Sequence, residues 1–250
     1  VITEKRRQLI LHQVQIQTIV NIHDLMQLTN TSASTIRRDL DELEQQHLLC
    51  RVHGGAKALD LTLQMEPKVA QREQLHIFQK QAIAQCAANL VQDDDVIFLD
   101  SGTTTRAMIP HLSRYHQLLV LTNGVDTASC LAEAQIRTIV LGGQLRNSTK
   151  AVVGQSITDY LNNCHLDRAF MGTNGFDFQA GYTTPDPEES AVKRLAIRQA
   201  KKAYVLTDAS KYQQIRFSKF ADLSAATLIT DQLPRSVSNQ LAQLTQIMEV

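Results

Sequence analysis

Between Ile22 and Leu43 the apolar positions keep a helical rhythm that breaks once. Ile22, Leu25, Met26 and Leu28 recur at near-helical spacing, Asn30-Thr31-Ser32 supplies turn formers, and Ile36, Leu40 and Leu43 resume at intervals of four and three. This predicts a helix, a short turn and a second helix whose Ile36, Leu40 and Leu43 face a core. Ser32 suits the N-cap of the second helix, because its hydroxyl can accept a first-turn backbone N–H. Two short runs follow, Leu48 to Val52 and Ala56 to Leu59, around His53-Gly54-Gly55. Glycine tolerates the positive φ of a tight hairpin, so these runs predict a β-wing.

The rhythm is lost between Leu59 and Pro67, and a helical run then spans Ala70 to Val91, with Ile77, Ala84, Ala87 and Leu90 near one face and Ile83 beside them. Such a face packs on its own domain or on another subunit. Apolar runs of strand length come next: Val96 to Leu99, Leu118 to Leu121, Ile136 to Leu141, Ala169 to Met171 and Ala203 to Leu206. Helical stretches separate several of them, which predicts an α/β fold with a mostly parallel sheet covered on both faces. The expected division is a winged helix-turn-helix domain over 1–58, a linker over 59–69 and an α/β domain over 70–250.

With 250 residues, 43% hydrophobic and 20% charged, the chain has room for two cores. Lys plus Arg equals Asp plus Glu at 25 each, so the overall charge gives no hint of nucleic acid. Local clustering must carry that claim. Lys5-Arg6-Arg7, Arg37, Arg38, Arg51 and Lys57 supply it in part, with acids interleaved, which implies modest and salt-dependent non-specific affinity. Cys50, Cys86, Cys130 and Cys164 lack paired spacing and the eight histidines form no ligand pattern, so neither metal nor cofactor is expected. No charged-then-apolar leader opens the sequence and no apolar run approaches the roughly 20 residues of a membrane helix. A cytoplasmic protein without membrane contact is the expectation.

Ser32, Ser34, Thr35, Arg37 and Arg38 crowd the first two turns of the second helix, the part of a recognition helix that meets base edges and phosphates. Arginine can bond guanine bidentately or clamp a phosphate, while Ser and Thr position the helix. The plain alternative is a solvated helix whose arginines pair with Asp39, Asp41, Glu42 and Glu44. The helix before and the wing after favour DNA reading, with Arg51, His53 and Lys57 directed toward phosphates.

Ligands of open α/β sheets bind outside the carboxyl ends of the strands, and here those ends are rich in small and polar residues. Asp100-Ser101-Gly102-Thr103-Thr104-Thr105 follows the first run, where Gly102 permits close backbone approach and hydroxyls with helix-start amides face an anion. Thr122-Asn123-Gly124, Gly142-Gly143 with Arg146 and Lys150 after it, Gly172-Thr173-Asn174-Gly175 and Asp208-Ala209-Ser210-Lys211 follow the others. Each alone is ordinary turn chemistry, but five repetitions predict one pocket. Lys211 could neutralise a phosphate or pair with Asp100 or Asp208. Asp100 itself suits a sugar hydroxyl or loop amides better than an anion.

Thr35-Ile36-Arg37-Arg38-Asp39-Leu40 and Arg51-Val52-His53-Gly54-Gly55-Ala56 resemble the DeoR family of bacterial transcriptional regulators, with His47 standing where such sequences usually carry glycine. The resemblance continues through Asp100 to Thr104, Thr122-Asn123, Gly142-Gly143, Asp167 to Gly172 and Asp208 to Lys211, so it spans almost the whole chain. It implies a sensor domain similar to sugar-phosphate isomerases that binds a phosphorylated sugar, with Glu189 and Lys193 at the pocket rim. The function it implies is a homodimeric or homotetrameric repressor of a carbohydrate operon, released from double-stranded operator DNA by that sugar. The rivals are an isomerase using Asp100, Asp208, Glu189 and Lys211, and an activator with a vestigial pocket.

Overall fold

The computed structural model describes residues 3–17, 19–45, 48–52, 54–57 and 69–250. The chain divides into two compact units, Val1–Gln64 and Met65–Val250. His47, His53, Ala58, Leu59 and Pro67, and with them the end of the wing and most of the expected linker, lie outside the described residues.

The first unit runs α1 (Thr3–Gln17), β1 (Ile19–Asn21), α2 (Ile22–Thr29), α3 (Ala33–Gln45), β2 (Cys50–Val52) and β3 (Gly55–Lys57). Asn21 caps α2 by accepting the Asp24 N–H at 2.8 Å, and Asn30 ends it in the left-handed region at φ 50°. Ser32 caps α3, its Oγ accepting the Thr35 N–H at 3.4 Å. Ile36, Leu40 and Leu43 pack with Leu25, Ile10 and Val14 in a small core, as the helical spacing predicts. The wing strands β2 and β3 pair antiparallel, and β1 adds a third strand beside β3.

The second unit runs α4 (Val69–Gln74), α5 (Ile77–Ala88), β4 (Val96–Leu99), α6 (Thr103–Arg106), β5 (Leu119–Thr122), α7 (Val125–Glu133), β6 (Thr138–Val140), β7 (Gln144–Leu145), β8 (Val152–Val153), α8 (Gln155–Asn162) and β9 (Leu166–Gly172). It continues with β10 (Gly175–Asp177), β11 (Gly181–Thr184), α9 (Pro187–Gln199), β12 (Ala200–Leu206), β13 (Ser218–Ala221), β14 (Thr227–Thr230), α10 (Arg235–Leu241) and β15 (Ile247–Glu249). Seven parallel strands form the main sheet in the order β15-β14-β12-β9-β4-β5-β6. Alternate strand residues feed two cores. Phe98, Ala169, Met171 and Val205 meet α8 and α9, whereas Ile97, Leu99, Phe170 and Tyr204 meet α5 and α7. Phe170 and Tyr204 stack with ring centroids 5.0 Å apart.

The helical run expected from Ala70 to Val91 is two helices. His76 adopts φ 55° and separates α4 from α5, and neither glycine nor proline marks the break in the sequence. Ile77, expected to pack, opens α5 and remains 43% exposed. The helix-packing face is built by Ile83, Ala84, Ala87 and Ala88.

Candidate functional site

In the first unit Ser32, Ser34, Arg37 and Arg38 are exposed along α3 and Thr35 is half-buried. The carboxylates able to neutralise those arginines are engaged elsewhere. Arg6 and Arg7 both grip Asp39, Arg7 also forks onto Glu42 at 2.9 and 2.6 Å, and Arg51 takes Asp41 with its guanidinium and Glu44 with its N–H at 2.8 Å. Among the described residues neither Arg37 nor Arg38 has a carboxylate partner. Arg6 and Arg7, expected in the basic cluster, are therefore internal braces between α1 and α3. Asp39 is buried, and while burial pushes its pKa up, the hydrogen bonds and charges of the two arginines bring it below the ordinary carboxylate value. On the wing, Arg51 is half-buried against Asp41 and Lys57 half-buried in β3. A groove of about 600 Å³ between α3 and the wing is lined by Ile22, Arg37, Glu44, Arg51, Val52 and Gly54.

In the second unit the order of strands reverses between β4 and β9: the chain moves outward through β5 and β6, then crosses back to β9, β12, β14 and β15. In open α/β sheets ligands bind at such a switch point, outside the carboxyl ends of the two strands, because the connections that follow them depart to opposite faces. Asp100 follows β4 and Gly172 ends β9 there. The Asp100 carboxylate accepts four bonds: Gly102 N–H at 2.8 Å, Thr105 Oγ1 at 2.5 Å, Gly172 N–H at 2.8 Å and the Lys193 ammonium. Lys193 also donates to the Gly172 carbonyl at 2.9 Å. Burial raises the Asp100 pKa, but the charge and hydrogen bond of Lys193, with those of Thr105 and Gly102, lower it overall.

The β5 loop joins this network. Thr127 Oγ1 donates to the Asp100 carbonyl at 3.2 Å, and the Gly124 backbone lies so close to Ser101 that an added Cβ would sit 2.8 Å from Ser101 Cα. Thr122 Oγ1 accepts the Gly124 N–H at 3.1 Å. Asn123 donates to the Val152 carbonyl at 2.9 Å, while its buried Oδ1 has no partner among the described residues. Thus Asp100, Ser101, Gly102, Thr122, Asn123 and Gly172 are assembled around one point, with Thr103 and Thr104 opening α6 beside them. A helix leaves its first-turn amides without internal partners, and those of Thr103 and Thr104 are of this kind. Asp208 follows β12, and Gly142 and Gly143 follow β6, each two strands from β4 on its own side. Asp208 caps the turn holding Lys211 through the Ser210 N–H at 3.1 Å; burial raises its pKa, but Lys211 and Ser210 hold it below the ordinary value.

Several expectations need correction. Lys193, placed at the rim, is buried and bound to Asp100, because the amphipathic face of α9 turns it inward. Glu189 is likewise buried, accepting Thr149 Oγ1 at 2.6 Å, with Arg146 alongside at 3.5 Å. Arg146 also pairs with Asp186, and Lys150 with Asp126 at 2.9 Å, so both cations serve neighbouring carboxylates. Asp167 and Arg168 lie at the amino-terminal end of β9, remote from the crevice, where they tie Val96 N–H at 2.9 Å and Asp95. Among the described residues no group of three or more His, Cys, Asp or Glu could hold a metal, and no helix is long and apolar enough to cross a membrane.

A helix-turn-helix with a wing, followed by a parallel sheet whose switch point carries a ring of hydrogen-bond donors, defines a ligand-sensing transcription regulator. Comparison with known proteins agrees. The profile described as DeoR-like helix-turn-helix domain matches residues 6–62, and that described as DeoR C terminal sensor domain matches residues 75–232. The chain belongs to the DeoR family of transcriptional regulators. It is 42% identical to the uncharacterized HTH-type transcriptional regulator FruR of Bacillus subtilis, over 92% of this chain and 91% of that one. It is 31% identical to the putative aga operon transcriptional repressor of Escherichia coli O157:H7 over 91% and 85% of the two chains. With the lactose phosphotransferase system repressor of Streptococcus mutans it shares 30% identity over 98% of each.

Proposed function

We propose that this protein represses a carbohydrate-utilisation operon and leaves its operator when a phosphorylated sugar occupies the crevice between β4 and β9. The observation that carries the reading is the Asp100 network, which pins three loops together and leaves the α6 amides, the Ser101 and Thr103 hydroxyls and the buried Asn123 Oδ1 to a ligand. An anion suits helix-start amides, and a buried unpaired acceptor suits a sugar hydroxyl. Lys211 and the Asp208 turn, with Gly142 and Gly143, would flank the bound sugar.

On the DNA side, Arg37 and Arg38 would read bases or phosphates, with Ser32, Ser34 and Thr35 positioning α3; Lys57 would reach phosphates from the wing, as would His53, and Arg51 on exchanging Asp41 for a phosphate. A homodimer or homotetramer would read half-sites one helical turn or a multiple apart and so turn weak contacts into useful affinity. The isomerase rival is disfavoured: a catalytic base needs a pKa near the working pH, whereas Asp100 is held low and spent on four donors.

The test is binding of a labelled duplex from the protein's own upstream region, titrated with aldose and ketose monophosphates of five and six carbons. Unphosphorylated sugars and inorganic phosphate serve as controls. Release by one monophosphate supports the reading, and a panel without response refutes it.

A further inference from the structure

We propose that Arg106 and Lys80 are positioning residues that fasten the short helix α4 to the effector loops, so that a change in those loops is passed to the DNA-binding unit through α4. The inference rests on the effector-released reading above and specifies its regulation.

α4 is six residues long, below the length at which a helix is stable alone, so its position depends on what holds it. It is the first described element after the DNA-binding unit, and His76, at φ 55°, sets it off from α5. Besides the buried Val69, two basic side chains hold it. Arg106, in the helix that opens on Thr103, pairs with Glu73 of α4 and reaches Asp126 of α7 at 3.3 Å. Lys80, in α5, donates its ammonium to the Arg72 carbonyl of α4.

The burial of Lys80 is otherwise hard to account for. Only 8% of it is exposed, and burial drives its pKa down to about 8 although Asp208 pulls the other way. Its electrostatic neighbours are Asp208, Lys211, Arg72 and Glu73. One tie thus originates beside the β4 loop and the other beside the β12 loop, and both end on α4. A cavity of about 500 Å³ lined by Ile77, Lys80, Thr103, Arg106 and Cys130 adjoins both side chains.

The test uses the full chain, the labelled upstream duplex and the monophosphate that releases the wild type. Arg106→Gln, Glu73→Gln and Lys80→Met should keep wild-type duplex affinity without effector and bind the effector within about twofold of wild type. The release factor, expected at about 5- to 150-fold in the wild type, should fall toward one. The exchange Arg106→Glu with Glu73→Arg should regain part of it, which a merely disrupted fold would not do. Normal release in the single variants, or lost effector affinity in place of lost coupling, would overturn the proposal while leaving the repressor reading intact. A wild type that ignores every monophosphate would instead sink the parent reading and this one with it.

Discussion

The Lys193 ammonium lies against the Asp100 carboxylate although 93 residues separate them, and both groups are buried. Each alone would be an uncompensated charge in the protein interior; together they lock the ends of β4 and β9. The same pair also cancels the negative charge that would otherwise face an anion arriving at Ser101 and Thr103.

Asp100→Asn leaves Lys193 buried without its counter-charge and should cost about 3–5 kcal/mol of stability. Adding Lys193→Met should recover much of that loss. Urea unfolding of the three proteins checks both statements. Because the folded pKa of Asp100 is lowered, its contribution is present above the ordinary carboxylate pKa of about 3.9 and disappears as pH falls through the lower folded value. The wild type should therefore lose stability on acidification more steeply than the double variant.

Gly124→Ala would push a Cβ to 2.7 Å from Thr127 Oγ1 and 2.8 Å from Ser101 Cα, forcing the β4 and β5 loops apart. Operator affinity should stay within about twofold, while the concentration of monophosphate needed for half-release rises at least about tenfold, a change of roughly 1.4 kcal/mol. Thr103→Ala and Lys211→Ala should blunt release in the same way. Anisotropy titrations separate the two affinities.

Arg37→Ala or Arg38→Ala should weaken operator binding by roughly 1–3 kcal/mol where the side chain reads a base, with relaxed sequence preference. Lys57→Ala should instead weaken all duplexes alike and lower the salt slope by about one. Binding across a salt series, with operator and scrambled duplexes, tells these roles apart.

Asp39→Asn strands Arg6, which is only 8% exposed, and should destabilise the first unit by about 3–5 kcal/mol. Operator binding would then fail through unfolding, whereas Arg37→Ala leaves the thermal transition unchanged. Thermal melts followed by circular dichroism distinguish the two routes.

The helix pair α2 and α3 and five of the seven strands of the main sheet, β4, β5, β6, β9 and β12, were legible because their apolar residues recur at the spacing of the element that buries them. α1 was not, since the face it buries carries Arg6 as well as Ile10 and Val14, and a charged residue in that row hides the apolar rhythm. β15 escaped for a related reason: an edge strand of two half-buried residues and one exposed one carries almost no pattern. The loops around the crevice were visible as glycine and hydroxyl clusters after each strand. That three of them, after β4, β5 and β9, meet at Asp100 was not, because it depends on the crossing from β6 back to β9. Lys193, Arg6 and Arg7 read as surface charges in the sequence, and only tertiary pairing with Asp100 and Asp39 takes them inside.

If the effector sits at the switch point, an amide chemical-shift map of the full chain during titration with the releasing monophosphate locates it there. The largest saturable shifts should fall on Ser101, Gly102, Thr103, Thr104 and Gly172, and the unphosphorylated sugar should leave them in place. Saturable shifts centred away from the carboxyl ends of β4 and β9 would contradict the account.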